Sequence, residues 1–420
     1  MLKNHLKIAW RNLKRNKGYS AINIGGLALG MAVVIMIGLW VIDEFTYNKH
    51  HKNHDKIAQI FNRGKNMDTG EIGSFPSTMY IMGSVIKENY SEYFEKVLRA
   101  TWVGDYVLTN DGENFTQPGQ FIESEALDML SLKMLQGSHS SLEELNSVVL
   151  SKSAALGIFG NENPVGKSIK INNEMDAVVT GVYEDLPKNN SFEYVKFFAN
   201  WNLIEANEPE RFARIKTEWD DWSFQLYVQL KPQISFEAAN IALRNLYPQY
   251  GPSDNVQTYE ERGLHPFTYQ MDEWHLYSEF DEQGMPTKGR ITFVWLFIAI
   301  GIFVLCLACI NFMNLSTARS EKRSKEVGIR KTVGSRKKQL VIQFLSESLL
   351  ISGIALMFAL MFVLISLPWF NELAGKAMNI PWNNPFFWIA TISFTVFTGL
   401  LAGSYPALYL SSFSPVKVLK

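Results

Sequence analysis

The chain has 420 residues, 40 Lys+Arg against 41 Asp+Glu, 47% apolar residues and two cysteines. That length allows two or three domains with sizeable cores, and a near-neutral balance gives no electrostatic case for a nucleic-acid partner. The charge is pooled, however: 18–42, 291–318, 348–367 and 383–416 hold no charged residue over 25, 28, 20 and 34 positions. Each run exceeds the roughly 18 residues that mark a candidate membrane span, which excludes a soluble single-domain enzyme.

In chain order, residues 1–17 place Leu2, Leu6, Ala9 or Trp10, and Leu13 at helical spacing among lysines and arginines. This is the pattern of a basic amphipathic helix lying on the cytoplasmic leaflet. Residues 18–43 are expected to form the first transmembrane helix. The run is too long for the apolar core of a cleavable signal, and no small-residue cleavage site follows at Trp40-Val41-Ile42-Asp43. Gly26 and Gly30 within it form a G-x-x-x-G that lets another helix approach closely, a motif common by chance in apolar segments.

Residues 44–290 read as an extracytoplasmic α+β domain. Strands are expected at 147–151, 168–171, 177–182 and 224–230, helices at 78–89 and 236–247, and turns at Asp111-Gly112, Asn172-Asn173 and 186–190. Then follow a second span (291–318), a cytoplasmic coupling segment (319–342), a third span (343–367), a short external loop (368–384), a fourth span (385–410) and a cytoplasmic tail (411–420). The predicted fold class is thus a membrane protein of four transmembrane helices, one and then three, with the α+β domain inserted after the first.

Charge sets the orientation. Residues 1–17 hold six Lys+Arg and 319–338 hold nine, whereas 368–384 hold only Lys376. Short cationic loops stay in the cytoplasm, so both termini are expected inside and 44–290 outside. Residues 44–290 hold 22 Lys+Arg against 36 Asp+Glu, net −14, and the remainder 18 against 5, net +13. An acidic domain outside and a basic surface against the anionic inner leaflet follow.

Few motifs carry chemistry. Gly160 to Ser168 imitates a phosphate loop, but five residues rather than four separate its glycines, and the segment lies outside the cell in this topology. His50, His51 and His54 sit among lysines with no cysteine nearby and read as surface histidines rather than a metal cluster. Cys306 and Cys309 fall inside the second span, where no water supports thiolate chemistry. No G-x-S-x-G or H-E-x-x-H occurs. The chain is therefore expected to be non-catalytic and to bind no cofactor or metal itself. The polar groups expected within the spans are Asn311, Asn314 and Glu347, the last suited to pairing with Lys331 or Arg336. So few charges argue against an ion path or proton relay.

The stretch from Asn311 to Lys331, N-F-M-N-L-S-T-A-R-S-E-K-R-S-K-E-V-G-I-R-K, continues a helical pattern past the bilayer with mixed charge. With Gly334 and the following Gln343-Phe344…Glu347-Ser348, it resembles the cytoplasmic stretch of MacB/FtsX-type permeases of ATP-binding-cassette systems. The first span (Asn23 to Ala32), the external Asn163 to Ser168 with Val178 to Pro187, and the ending Tyr405 to Leu419 are similar to the same family. The resemblance implies a permease subunit docked on a separate cytoplasmic ATPase, which supplies ATP and Mg, with Arg319, Arg323, Glu326, Gly328, Arg330 and Lys331 as the docking and coupling residues. It implies a homodimer, or a pseudo-dimer with a second four-span unit, in the bacterial inner membrane. A periplasmic adaptor and an outer-membrane channel are compatible further partners. Expected cargo is an antimicrobial peptide, a macrolide-like compound or a lipoprotein. The alternative is an FtsX-like scaffold that regulates a cell-wall hydrolase without moving cargo; the size of the external domain favours the transporter.

Overall fold

The computed structural model describes residues 11, 17–281, 285–318, 327–329 and 331–412. The chain divides into two compact units, cut between Asp43 and Glu44 and again between Thr292 and Phe293.

The membrane unit is built from four long helices: α1 (Lys17–Phe45), α2 (Arg290–Ala318), α3 (Lys337–Ala374) and α4 (Pro385–Ser412). All four are long and apolar enough to cross a membrane. Even α4, with 28 residues, reaches about 42 Å at 1.5 Å per residue, more than the ~30 Å of hydrocarbon. Helix α3 begins six residues before the expected third span and ends seven after it. An apolar run marks only the lipid-facing part of a helix; backbone hydrogen bonding carries the helix on through Lys337 and Lys338 until Gly375, at φ +64°, closes its C-terminus.

Small residues set the helix contacts. A Cβ on Gly30 would lie 2.6 Å from that of Ala308, and one on Gly26 would lie 3.3 Å from the amide nitrogen of Asn311, so α1 and α2 touch along the G-x-x-x-G face. Between α3 and α4, Gly399 sits against Ser352 and Gly403 against Ser348. The buried hydroxyls of Ser348, Thr395 and Thr398 donate to carbonyls of their own helices. Large apolar side chains such as Phe303, Leu307, Met357 and Phe386 point outward and stay exposed, as a lipid environment permits.

The external unit holds a sheet of twelve strands among the described residues: β1 (Ile57–Lys65), β2 (Ile72–Phe75), β3 (Phe94–Ala100), β4 (Gly104–Asn110), β5 (Glu113–Ile122), β6 (Met134–Gln136), β7 (Ser147–Ser151), β8 (Ser168–Ile171), β9 (Met175–Tyr183), β10 (Phe197–Asn200), β11 (Gln225–Leu230) and β12 (His265–Gln270). The pairings β10-β7-β9-β8-β4-β5, with β10 returning to β5, close six strands into a ring. Leu108, Phe121, Val148, Leu150, Ile171, Val179 and Phe197 form one buried cluster of its side chains, as in a small filled barrel. From β5 the sheet continues open as β3-β11-β1-β12. Helices Tyr80–Asn89 and Phe236–Leu243 pack on β3 and β12. They contribute Met82, Ile86, Ala239 and Leu243 to a second cluster.

Local signals explain the connections. Asp111 and Gly112, at φ +49° and +83°, turn β4 into β5, and Asn172 and Asn173 do the same between β8 and β9. The helix expected at 236–247 is two helices, Phe236–Leu243 and Leu246–Tyr250. Pro248 has no N–H to give a continuous helix, and the restart places it in a first turn, where none is needed.

Candidate functional site

Of the six predicted docking residues, Arg319, Arg323, Glu326 and Arg330 lie outside the described residues. Gly328 is buried, and its neighbour Val327 packs with Leu340, Phe344, Ala407 and Leu410. The Lys331 ammonium donates to the carbonyl of Ser411 at the end of α4, 2.8 Å away. Asn311 and Asn314 are exposed on α2, and Glu347 is buried on α3. At the other end of the membrane unit, Asp43 near the end of α1 pairs with Lys376 just past α3, at 2.6 Å with both largely buried.

The most constrained polar assembly lies in the external unit, where the chain enters it from α1 and leaves it for α2. Glu44, in the last turn of α1, has no exposed side-chain surface. One carboxylate oxygen accepts from the ring N–H of His275 at 2.7 Å and from Nε of Arg290 at 3.2 Å; the other accepts from Nη2 of Arg290, also at 3.2 Å. Arg290 is the first residue of α2. Tyr47 stacks on His275 with ring centres 3.6 Å apart. The N–H of Ile291 donates to Leu276, and a Cβ on Gly289 would strike Ser278, so the backbone entering α2 lies flat on the 276–278 segment. One buried carboxylate thus holds the end of α1, the start of α2 and a loop of the external unit together.

A second set of bonds extends this clasp. Asn48, in the left-handed region at φ +63°, donates to Ser191 Oγ and to the carbonyl of Met271 and accepts from the Ser191 N–H. His54 meets Asp272 at 2.7 Å. Asn190 accepts the Phe192 N–H at its side-chain oxygen, so its amide N–H groups face the rings of His50 and His51. His51 donates from Nδ1 to the Leu130 carbonyl and accepts from Asn190 at Nε2, which is the neutral tautomer. Burial holds the His51 ring down at about 4, and burial with the adjacent His51 and His54 rings holds His50 there too.

His51 is therefore a core residue, fully buried, and not the surface histidine its lysine-rich surroundings predicted; flanking charge reports nothing about the pairing of one ring with a distant carbonyl. No group of three metal-ligating side chains occurs among the described residues. The phosphate-loop imitation ends a helix rather than opening one. Gly160, at φ +59°, closes Lys152–Phe159, Lys167 is paired with Glu162, and strand β8 follows.

Glu44, His275 and Arg290 escaped the sequence reading because they lie far apart in the chain and no local motif links them. The available signal was positional: Asp43 and Glu44 follow one uncharged run and Arg290 precedes the next.

Residues 20–246 match the family described as MacB-like periplasmic core domain, and residues 298–415 match FtsX-like permease C-terminal. Among curated proteins, the chain is 25% identical over 281 residues to the macrolide export ATP-binding/permease protein MacB of Bdellovibrio bacteriovorus, covering 65% of this chain and 38% of that protein. It is 22% identical over 440 residues to the MacB of Campylobacter jejuni, covering 100% and 62%. The chain thus spans less than two thirds of the length of either relative. The crystal structure of the periplasmic region of MacB from Actinobacillus actinomycetemcomitans aligns at 17% identity and a TM-score of 0.36, over 53% of this chain and 94% of that one.

Proposed function

The chain belongs to the permease family that joins a MacB-like periplasmic core domain to an FtsX-like C-terminal domain, and from that premise we propose that it is the permease subunit of an ATP-binding-cassette transporter whose external domain is moved by a separate cytoplasmic ATPase. The observation that carries this reading is the Glu44 clasp. Helices α1 and α2 are the covalent links between the membrane and the external unit, and a carboxylate without solvent contact fixes both to the loop at 271–278. A displacement of either helix is then delivered to that loop instead of being absorbed by slack chain. Transmission of a nucleotide-driven shift to a distant site needs packed connections without slack, and the clasp is one.

In this reading the termini and the 319–342 segment are cytoplasmic, and Arg319, Arg323, Glu326, Gly328, Arg330 and Lys331 meet the ATPase, which binds ATP and Mg. Two copies, or one copy and a second four-span unit, surround the cargo path. The cargo is an antimicrobial peptide, a macrolide-like compound or a lipoprotein, passed to an adaptor and outer channel where the envelope has one. The charge division between the two parts of the sequence and the Lys331–Ser411 contact support this orientation and docking end.

Affinity capture of the chain from native membranes tests the reading. A P-loop ATPase should co-purify, and the double variant Glu326→Lys, Arg330→Glu should lose it. An ATPase retained at wild-type level by that variant would remove the docking surface from the account.

A further inference from the structure

Residues 44–290 contain seven arginines. Four hold carboxylates: Arg99 pairs with Glu123, Arg211 with Glu208 and Asp221, Arg214 with Glu218 and Asp220, and Arg290 with Glu44. The other three, Arg63, Arg244 and Arg262, make no ion pair among the described residues, although this part of the chain carries a net −14. All three line one cavity of about 410 Å³, which the transport reading does not use.

Three separate elements bring these side chains together. Arg63, half-buried on β1, stands opposite His265 of β12. Arg244 is exposed at the end of the helix Phe236–Leu243. Arg262 follows the helix Val256–Glu261, and its Nε donates to the Lys65 carbonyl at 3.2 Å. His265 donates from Nδ1 to the Gly263 carbonyl at 2.8 Å. Burial first, and then the charges of Arg63 and Arg244, hold its pKa below the ordinary histidine value against that bond, so the ring is neutral at pH 7. The remaining charged residue of the lining is Glu260, which is exposed and makes no ion pair among the described residues. The lining therefore carries three positive charges against one negative. Like charges gathered in this way repel one another, and the carbonyl ends of the helices before Arg244 and Arg262 offset only a fraction of a charge each. A guanidinium is a planar fork of donors that matches the oxygens of a phosphate or a carboxylate.

We propose that this cavity binds a phosphate monoester. Its three terminal oxygens offer each of Arg63, Arg244 and Arg262 an acceptor, and its charge of about −1.5 to −2 at pH 7 answers the net charge of the lining. A monocarboxylate brings two oxygens and a single charge, and leaves one guanidinium unanswered. A soluble phosphate monoester and a lipid headgroup ending in one share this chemistry. The inference is independent of the transport reading, since binding is read directly, without ATP or cargo movement.

The test uses the full chain in phosphatidylcholine nanodiscs with glycerol 3-phosphate as probe, followed by its phosphorus resonance against empty nanodiscs. Saturable binding to the wild type is expected. Arg244→Gln, at an exposed position where folding is not at stake, and Arg63→Gln should each weaken it roughly tenfold. Arg214→Gln removes the same charge from an ion-paired site and should leave the affinity within about twofold. Acetate should displace the probe roughly tenfold less well than inorganic phosphate. Displacement by phosphatidic acid vesicles but not by phosphatidylglycerol vesicles would make a lipid headgroup the ligand, and displacement by neither would make it a soluble monoester. Displacement by both alike, which is attraction to surface charge, would overturn the proposal. So would absence of saturable binding up to about 10 mM, a signal matched by empty nanodiscs, or acetate competing as well as phosphate. Equal affinity in the wild type, Arg63→Gln and Arg244→Gln, or an equal loss in Arg214→Gln, would overturn it as well.

Discussion

The two units are packed by opposite rules. In the external unit the largest side chains are the most buried: Trp201, Tyr183, Tyr247, Phe121 and Phe197 have almost no exposed surface. In the membrane unit the close contacts are made by Gly30, Gly399, Gly403, Ser348 and Ser352, while Phe303, Leu307, Met357 and Phe386 face outward. Water drives the first arrangement, since removing apolar area from it is favourable. Lipid gives no such drive between helices, so association there depends on how near two backbones can come. The same substitution logic must therefore run in reverse in the two units.

The largest effect that could break this contrast is at Trp201, whose ring packs against Phe212 and Phe224. Trp201→Ala should cost about 3–5 kcal/mol of external-unit stability in a denaturant titration. In the membrane unit the damaging change is enlargement. Gly403→Leu, which drives a side chain into Ser348, should cost roughly 3 kcal/mol and lower the thermal transition of the detergent-solubilised chain. Gly353→Leu on α3, where a Cβ meets nothing within 4 Å, should leave that transition in place. If Gly353→Leu were as harmful as Gly403→Leu, close approach would not be what holds α3 to α4.

Acid sharpens the contrast from the other side, because the external unit buries a histidine. His51 is neutral when folded, with its ring held near 4 against an ordinary 6.5. Between those values the unfolded chain binds the extra proton, so stability is complete above about pH 6.5 and is lost as pH falls toward 4, by on the order of 3 kcal/mol. His51→Gln should start less stable at pH 7 and lose less on acidification, as measured by unfolding at several pH values. The smallest effect is expected at Lys133 and Glu184, an exposed pair 3.0 Å apart. Lys133→Ala should change stability by less than about 0.5 kcal/mol.

The contrast also decides what was legible in the sequence. The four long helices show as uncharged runs because lipid demands an unbroken apolar length, a local property. The strands read at 147–151, 168–171 and 177–182 show through alternation and β-branched residues, and the turns at Asp111-Gly112 and Asn172-Asn173 through residue types that tolerate the positive φ found there. The closed ring of strands was invisible, since β10 joins β5 across more than seventy residues and nothing in either strand names its partner. Glu44 and His275 are 231 positions apart and meet only through that folding. The site was therefore less legible than the fold, because its geometry is made wholly of long-range pairings.

The clasp is the central claim, and amide hydrogen exchange at 271–278 in the co-purified permease–ATPase complex tests it most directly. With ATP and vanadate added, protection of that loop should change in the wild type. In Glu44→Gln, ATP should still be hydrolysed while the loop no longer responds. A loop that is indifferent to nucleotide in the wild type, or that responds equally in Glu44→Gln, would contradict the account.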